Sequence, residues 1–350
     1  MKTADLDYDL PARLIAQTPL EPRDASRLMV VSREEGTIEH AHFRDLGEYL
    51  EAGDLIVCND TRVIRARLFG RKVPSGGKVE VLLTCKTDGT EWEALVRGRR
   101  VPVGGLVEFT GEGHRGGGAP LRAEVGERIP SGGRVVRFEK EVEPFLLEVG
   151  SVPLPPYIHE ELEDPERYQT VYAEREGSAA APTAGLHFTP LLMETLREKG
   201  IEFAFVTLHV GVDTFLPIRE ERAEEHVMHS EFCLVPQQAA RAVNLAKKAG
   251  QRVVAAGTTV VRALETAALA DEERQSRVVA SYEGWTNLFI YPGFAFRAVD
   301  CLLTNFHLPR STLLLLVAAF AGQDLLHKAY QQAIRREYRF YSFGDAMLIL

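Results

Sequence analysis

Glycine is distributed unevenly along this chain: sixteen of its twenty-nine glycines fall between Leu68 and Gly150, less than a quarter of the length. Glycine is costly inside helices and frequent in tight turns, so that region cannot be built like the remainder. It reads as short β-type runs at 67–72, 78–84, 90–97, 106–110, 121–125 and 134–138, separated by turn signals. Six such runs predict a small closed or nearly closed antiparallel barrel. The three consecutive glycines within 115–119 read as a loop.

After Gly150 helices and strands alternate, the signature of an α/β layered structure with a largely parallel sheet. A helix over 191–199 is marked by Thr189 as N-cap, Pro190 at the first turn and Gly200 as its stop. A buried strand over 201–210 follows. A helix over 237–248, stopped at Gly250, and a strand over 252–256 repeat the arrangement. Gly257 then turns the chain into a helix capped by Thr258 or Thr259, with Val260, Val261, Leu264 and Ala268 on an apolar face. The first 66 residues are also α/β and contain the apolar strand 55–58. A 66-residue fragment is marginal alone, so it joins the later sheet. The expected division is a discontinuous α/β catalytic domain, 1–66 plus 151–350, with 67–150 inserted as a barrel domain.

The 350 residues, 45% hydrophobic, suffice for a sizeable core. Asp5, Asp7 and Asp9 interrupt the start, which does not read as a secretory leader. The longest apolar run, 313–321, is too short to cross a bilayer and reads as a buried helix. Cys58, Cys85, Cys233 and Cys301 form no paired motif, so reduced thiols and a cytoplasmic location are expected. A net charge of −9 argues against a general nucleic-acid coat and makes any RNA contact local. Arg62, Arg65, Arg67, Arg71 and Lys72, with Arg97, Arg99 and Arg100, are the candidate stretch; solvated faces are the alternative.

Open α/β sheets bind ligands beyond the carboxyl ends of their strands. His209 ends one strand, His307 follows 299–303 through Thr304 and Asn305, and His187 lies in the loop 183–188 before a capped helix. A structural hydrogen-bonding role is the alternative for each histidine taken singly. Glu225, His226, His229 and Glu231 form a second concentration. The two histidines invite a zinc reading, but too few ligands accompany them, and no metal is expected. General acid and base work suits them better. Gly257, Thr258 and Thr259, where a strand meets a helix N-terminus, suit a carboxylate or phosphate. Asn59, Asp60 and Thr61 are a further strand-end polar cluster. Tyr157, after Pro155 and Pro156, forms a rigid turn that can stack on a base or serve as a linker. No glycine fingerprint for dinucleotides or P-loop nucleotides follows a strand.

These strings closely resemble the S-adenosylmethionine:tRNA ribosyltransferase-isomerases of queuosine biosynthesis. The matching segments are NDTRVIRARLFG from Asn59, PLPPYI from Pro153, YQTVYA from Tyr168, GSAAAPTAGLHFT from Gly177, TLHVGVDTFLPI from Thr207 and EHVMHSE from Glu225. They continue with GTTVVRALE from Gly257, FIYPGFAF from Phe289, TNFHLPRSTLLLLVAAFAG from Thr304 and YRFYSFGDAM from Tyr338. Asp213 stands where glycine is usual, and Val260 and Ala263 stand where serine is usual. The resemblance implies an α/β domain with an inserted β-barrel. It also implies transfer and isomerisation of the ribosyl moiety of S-adenosylmethionine, a consumed co-substrate, so no resident cofactor is expected. The acceptor it implies is 7-aminomethyl-7-deazaguanine at the wobble position of a tRNA with a GUN-type anticodon, giving epoxyqueuosine, adenine and methionine.

In that chemistry three protons move, and His187, His209 and His307 are the expected acid and base groups, with Glu225, His226 and His229 as alternates. Thr258 and Thr259 would take the methionine carboxylate, with Asn305 among the substrate-binding residues. Arg62, Arg65 and Arg67 would meet tRNA phosphates. The chain is expected to act as a monomer without a membrane. The alternatives are an S-adenosylmethionine-dependent base methyltransferase, suggested by Pro155-Pro156-Tyr157, and an RNA-binding barrel on an inert scaffold.

Overall fold

The computed structural model describes residues 1–109, 120–129, 133–211, 218, 220–228, 230–270 and 278–350. Thr110, the glycine loop 115–119, Asp213 and His229 lie outside the described residues. The chain forms two compact units: Met1–Arg62, Pro155–Arg175 and Ala181–Leu350 in one, Val63–Leu154 and Glu176–Ala180 in the other.

The smaller unit is an antiparallel barrel. Its described strands run in the order Arg67–Val73, Lys78–Asp88, Glu91–Arg97, Arg134–Phe138, Leu121–Arg128 and Gly105–Phe109, and the last pairs back onto the first. Gly70 explains part of the glycine bias. It pairs with Phe109 where the barrel closes, and a Cβ there would lie 2.7 Å from both Glu108 O and Val107 Cγ1. Leu68, Val81, Ala94, Val107, Phe109, Val125 and Val136 are buried in this unit. Arg134 is also buried, and its guanidinium donates to the carbonyls of Gly126 and Val101 at 2.6 to 3.0 Å.

In the larger unit, nine described strands form a mixed sheet. The four central strands, Glu202–Leu208, Leu55–Asn59, Val253–Ala256 and Cys301–Asn305, are mutually parallel. They are apolar runs because both faces are covered. On one side Glu231–Val235 and Tyr282–Thr286 extend the sheet in antiparallel fashion. On the other, Ala346–Ile349 runs antiparallel to Cys301–Asn305, Arg27–Val31 runs parallel to Ala346–Ile349, and Ile38–His42 closes the edge. One core face gathers Phe43, Leu46, Ile56, Phe188, Leu196, Val254, Leu303 and Leu348.

The helix Pro190–Glu198 starts as its sequence indicates, with Thr189 Oγ1 accepting from Leu192 N at 3.1 Å. At Thr258–Ala270 the capping reading is corrected. Gly257, at φ +109°, precedes the helix and its carbonyl accepts from Val260 N and Val261 N, so Thr258 and Thr259 are already inside the first turn. The apolar run near residue 313 is the helix Thr312–Ala321, and Gly322, at φ +81°, breaks it from Gln323–Arg335 at 115°. No single described helix is long and apolar enough to cross a membrane.

Fully buried Glu265 accepts the backbone N–H groups of Arg297, Ala298 and Val299 at 3.0 to 3.2 Å and so pins the chain entering Cys301–Asn305. Glu265→Ala strands those donors and is expected to cost about 2–4 kcal/mol. An unchanged urea midpoint would contradict this account.

Candidate functional site

The carboxyl ends of the four parallel strands share one edge. Asn59, at the end of Leu55–Asn59, is completely buried. Its Nδ2 donates to Leu208 O at 3.0 Å and to Thr259 Oγ1 at 3.2 Å, and its Oδ1 accepts from Thr61 N and Leu208 N, both at 3.1 Å. One amide thereby joins two strand ends to the first turn of the Thr258–Ala270 helix. Asp60 is held beside it by Thr207 Oγ1 at 2.6 Å, and burial raises its carboxyl above the usual range.

His209 follows directly. Its Nδ1 lies 2.7 Å from Thr61 Oγ1, its ring stacks on Phe232 with centroids 5.5 Å apart, and its Nε2 has no hydrogen-bond partner among the described residues. Burial, with a smaller contribution from Arg175, lowers its pKa. The neighbouring backbone is also fixed: Gly211 N donates at 2.9 Å to Glu231 Oε1, and Glu231 forms a buried ion pair with Arg262.

His187 sits against the end of Cys301–Asn305. Asn305 Nδ2 donates to Tyr341 O at 3.0 Å and faces His187 Nε2 at 3.3 Å, so that nitrogen accepts. His187 Nδ1 then carries the proton and donates to Ser26 Oγ at 2.8 Å. The ring stacks on Phe43, and burial, helped by Arg339 and Arg23, pushes its pKa down to about 3. Asn305 Oδ1 is left buried without a hydrogen-bond partner. His187 and Ser26 line a small cleft together with Arg23, Arg167, Ser342 and Phe343. Tyr157 reaches this cleft through a 2.8 Å hydrogen bond between its hydroxyl and Ser342 Oγ. The turn Thr183–His187 links the two clusters, because a Cβ on Gly257 would lie 3.6 Å from Ala184 Cβ.

The remaining candidates lie apart from these contacts. His307 Nε2 is 2.6 Å from Thr304 Oγ1, its N–H donates to the Tyr330 hydroxyl at 2.9 Å, and burial pushes its pKa down to about 3. His226 is 3.1 Å from Glu220 Oε2 and edge-on to Phe289, while Glu225 is exposed on the short turn Ala223–Glu225. Arg62 pairs with Glu166 at 2.5 Å. In the barrel unit, Arg65 donates to Leu147 O at 3.0 Å, and Arg67 donates to Leu154 O at 2.9 Å and approaches Glu80 at 3.4 Å. Among the described residues no group of three or more His, Cys, Asp or Glu side chains is placed to hold a metal ion.

Sequence reasoning missed Ser26 and the segment 342–344. Both precede strands antiparallel to the sheet centre, so their amino ends share the edge with the central carboxyl ends. It also missed the Glu231–Arg262 pair. The available signal was two charges, Arg262 and Glu265, on an otherwise apolar helix.

The queuosine biosynthesis protein family matches residues 3–349. An S-adenosylmethionine:tRNA ribosyltransferase-isomerase of Moorella thermoacetica is 55% identical over 353 aligned residues, spanning 100% of both chains. That of Symbiobacterium thermophilum is 54% identical over 352, again spanning 100% of both. A solved S-adenosylmethionine tRNA ribosyltransferase from Thermotoga maritima is 42% identical with a TM-score of 0.56, covering 99% of this chain and 100% of that one.

A depressed histidine pKa has a consequence for stability. Unfolded, the His187 ring takes a proton below about pH 6.5, whereas folded it resists until about 3. Its neutral burial therefore costs nothing above pH 6.5, and stability is lost as the pH falls toward the folded value. His187→Asn is expected to flatten the stability slope between about pH 6 and 4 by roughly 1 kcal/mol per pH unit. Parallel slopes in urea titrations would refute it.

Proposed function

We propose that this chain, which belongs to the queuosine biosynthesis protein family, performs its reaction at the carboxyl edge of the parallel strands, with His209 as the working base. The chain is an enzyme, an S-adenosylmethionine:tRNA ribosyltransferase-isomerase. The observation that carries the assignment to His209 is its availability. Thr61 holds one ring nitrogen, the half-buried ring stacks on Phe232, and Nε2 has no hydrogen-bond partner among the described residues. Both nitrogens of His187 are occupied, and His307 is tied to Thr304.

The acceptor in this reading is 7-aminomethyl-7-deazaguanine at the wobble position of a GUN-anticodon tRNA. The sulfonium of S-adenosylmethionine acidifies the adjacent 5′ C–H, and neutral His209 takes that proton through Nε2 while Nδ1–H donates to Thr61 Oγ1. The resulting imidazolium supplies the proton that leaves with adenine. The aminomethyl nitrogen gives its proton to solvent and forms the C–N bond to the ribosyl carbon that adenine leaves, and in the ring rearrangement the 5′ C–S bond breaks with its electron pair going to methionine. The N–H groups at the start of Thr258–Ala270, beside Thr258 and Thr259, receive the methionine carboxylate. Asn305 Oδ1, an acceptor without a donor, takes an N–H or O–H of the substrate, and His187 fixes the Asn305 amide. Glu225, His226 and His307 have no direct part in this scheme. The four unpaired thiols agree with a monomer working in a reducing cytoplasm.

Incubation with tRNA bearing the aminomethyl base, followed by mass analysis of nucleosides, is expected to give epoxyqueuosine with adenine and methionine freed. Formation of S-adenosylhomocysteine would instead mark a methyltransferase. His209→Ala is expected to slow adenine release by about 10²- to 10⁴-fold. Because the His209 pKa is lowered, the base stays neutral and active below pH 6.5, with the acid limb falling only at lower pH. Normal turnover by His209→Ala would remove it from the mechanism.

A further inference from the structure

Three arginines gather at the cleft next to His187: Arg23 and Arg167 line it, and Arg339 lies beside it. Arg23 donates only to main-chain carbonyls: Gln169 O at 2.7 Å, Leu186 O at 3.3 Å and Glu166 O at 3.0 Å. Arg339, close enough to His187 to lower its pKa, gives one guanidinium nitrogen to Thr18 O, and its Nη1 is buried without a hydrogen-bond partner. Arg167 gives Nη2 to Leu20 O at 2.6 Å and pairs with exposed Glu21, while its Nε is buried without a partner. The nearby acids are shared: Asp164 and Glu166 act on Arg23, and Asp345 on Arg339, while each also has another partner. Asp345 pairs with Arg27 at 3.0 Å, Glu166 with Arg62, and Asp164 accepts from Glu166 N at 2.9 Å. Carbonyls satisfy the donors of a guanidinium but do not cancel its charge. The result is a cleft with two guanidinium groups and a neutral imidazole in its wall and a third guanidinium beside it.

We infer that this cleft is an anion subsite and that its occupant is a backbone phosphate of the tRNA, held by Arg23, Arg339 and Arg167 next to the reacting nucleotide. The inference rests on the tRNA reading above. Three observations favour a phosphate of a macromolecule over a small carboxylate. Arg23 and Arg167 line the cleft, Arg339 lies beside it, and all three are half-buried and not enclosed. Arg62 is already paired with Glu166, so phosphate binding by a chain of net charge −9 draws on further local clusters. Tyr157, the aromatic side chain suited to stacking on a base, is joined to the cleft through Ser342. Guanidinium groups match phosphate oxygens in a fork geometry and keep their charge when partly desolvated.

The test is tRNA binding to the full-length protein across a salt series, with the KM for S-adenosylmethionine measured in parallel. Arg23→Gln, Arg339→Gln and Arg167→Gln are each expected to weaken tRNA binding about tenfold at low salt and to reduce the log–log salt slope by about 1. The KM for S-adenosylmethionine should stay unchanged, and Arg23→Lys should recover most of the affinity. Arg167, whose partners are an exposed carboxylate and one carbonyl, provides a variant that folds even if Arg23→Gln does not. Unchanged tRNA affinity and slope in the folded variants would overturn the proposal. So would a raised KM for S-adenosylmethionine with tRNA binding intact, which would assign the cleft to the methionine carboxylate. Binding is read without turnover, so failure of the wild-type protein to release adenine would count against the reaction and not against the cleft.

Discussion

The site depends on one saturated amide. Asn59 uses both N–H groups and both acceptor positions of its side chain, and each bond reaches backbone or a side chain that must be in place for the edge to exist. A buried amide left partly unpaired costs more than its bonds contribute when made, so this residue tolerates one arrangement of its neighbours. That arrangement sets the end of Glu202–Leu208 against the end of Leu55–Asn59 and places Thr259 over both. Thr61 and His209 follow from it, since each is the second residue beyond a strand end or the first.

Burial then decides what the histidines can do. A ring taken out of water loses the solvation that supports its charged form, and His187 and His307 are neutral far below ordinary histidine behaviour. His209 is less buried, and its Nε2 has no hydrogen-bond partner among the described residues. The same desolvation gives the arginines around His187 their reach. Arg23 and Arg339 donate to main-chain carbonyls there, which satisfies donors without cancelling charge.

Legibility in the sequence followed the range of the interactions. Gly70 signalled a place where two strands approach too closely for a side chain, and the pairing with Phe109 is that place. Thr189 and Pro190 marked a helix start through contacts within one turn. His209, Asn59 and Asn305 were found because they end apolar strands whose parallel direction brings carboxyl ends together. Ser26 and Ser342 escaped the same rule, since the direction of their strands depends on pairing with distant segments. His307 also follows a strand end, and what the strand rule could not show is that its ring meets Thr304 and its backbone N–H the Tyr330 hydroxyl.

By itself, the sequence determined the class of each segment, the glycine-rich barrel, the strand ends that carry polar groups, and, through its long matching strings, the family. These are properties of local periodicity, turn chemistry and residue order. Only the tertiary structure decided which histidine nitrogen has no partner among the described residues, which arginines gather beside His187, and that amino ends of antiparallel strands belong to the same edge. Those outcomes depend on solvation and on pairing between residues more than a hundred positions apart, such as Ser26 with His187 and Thr61 with His209, which no local pattern encodes.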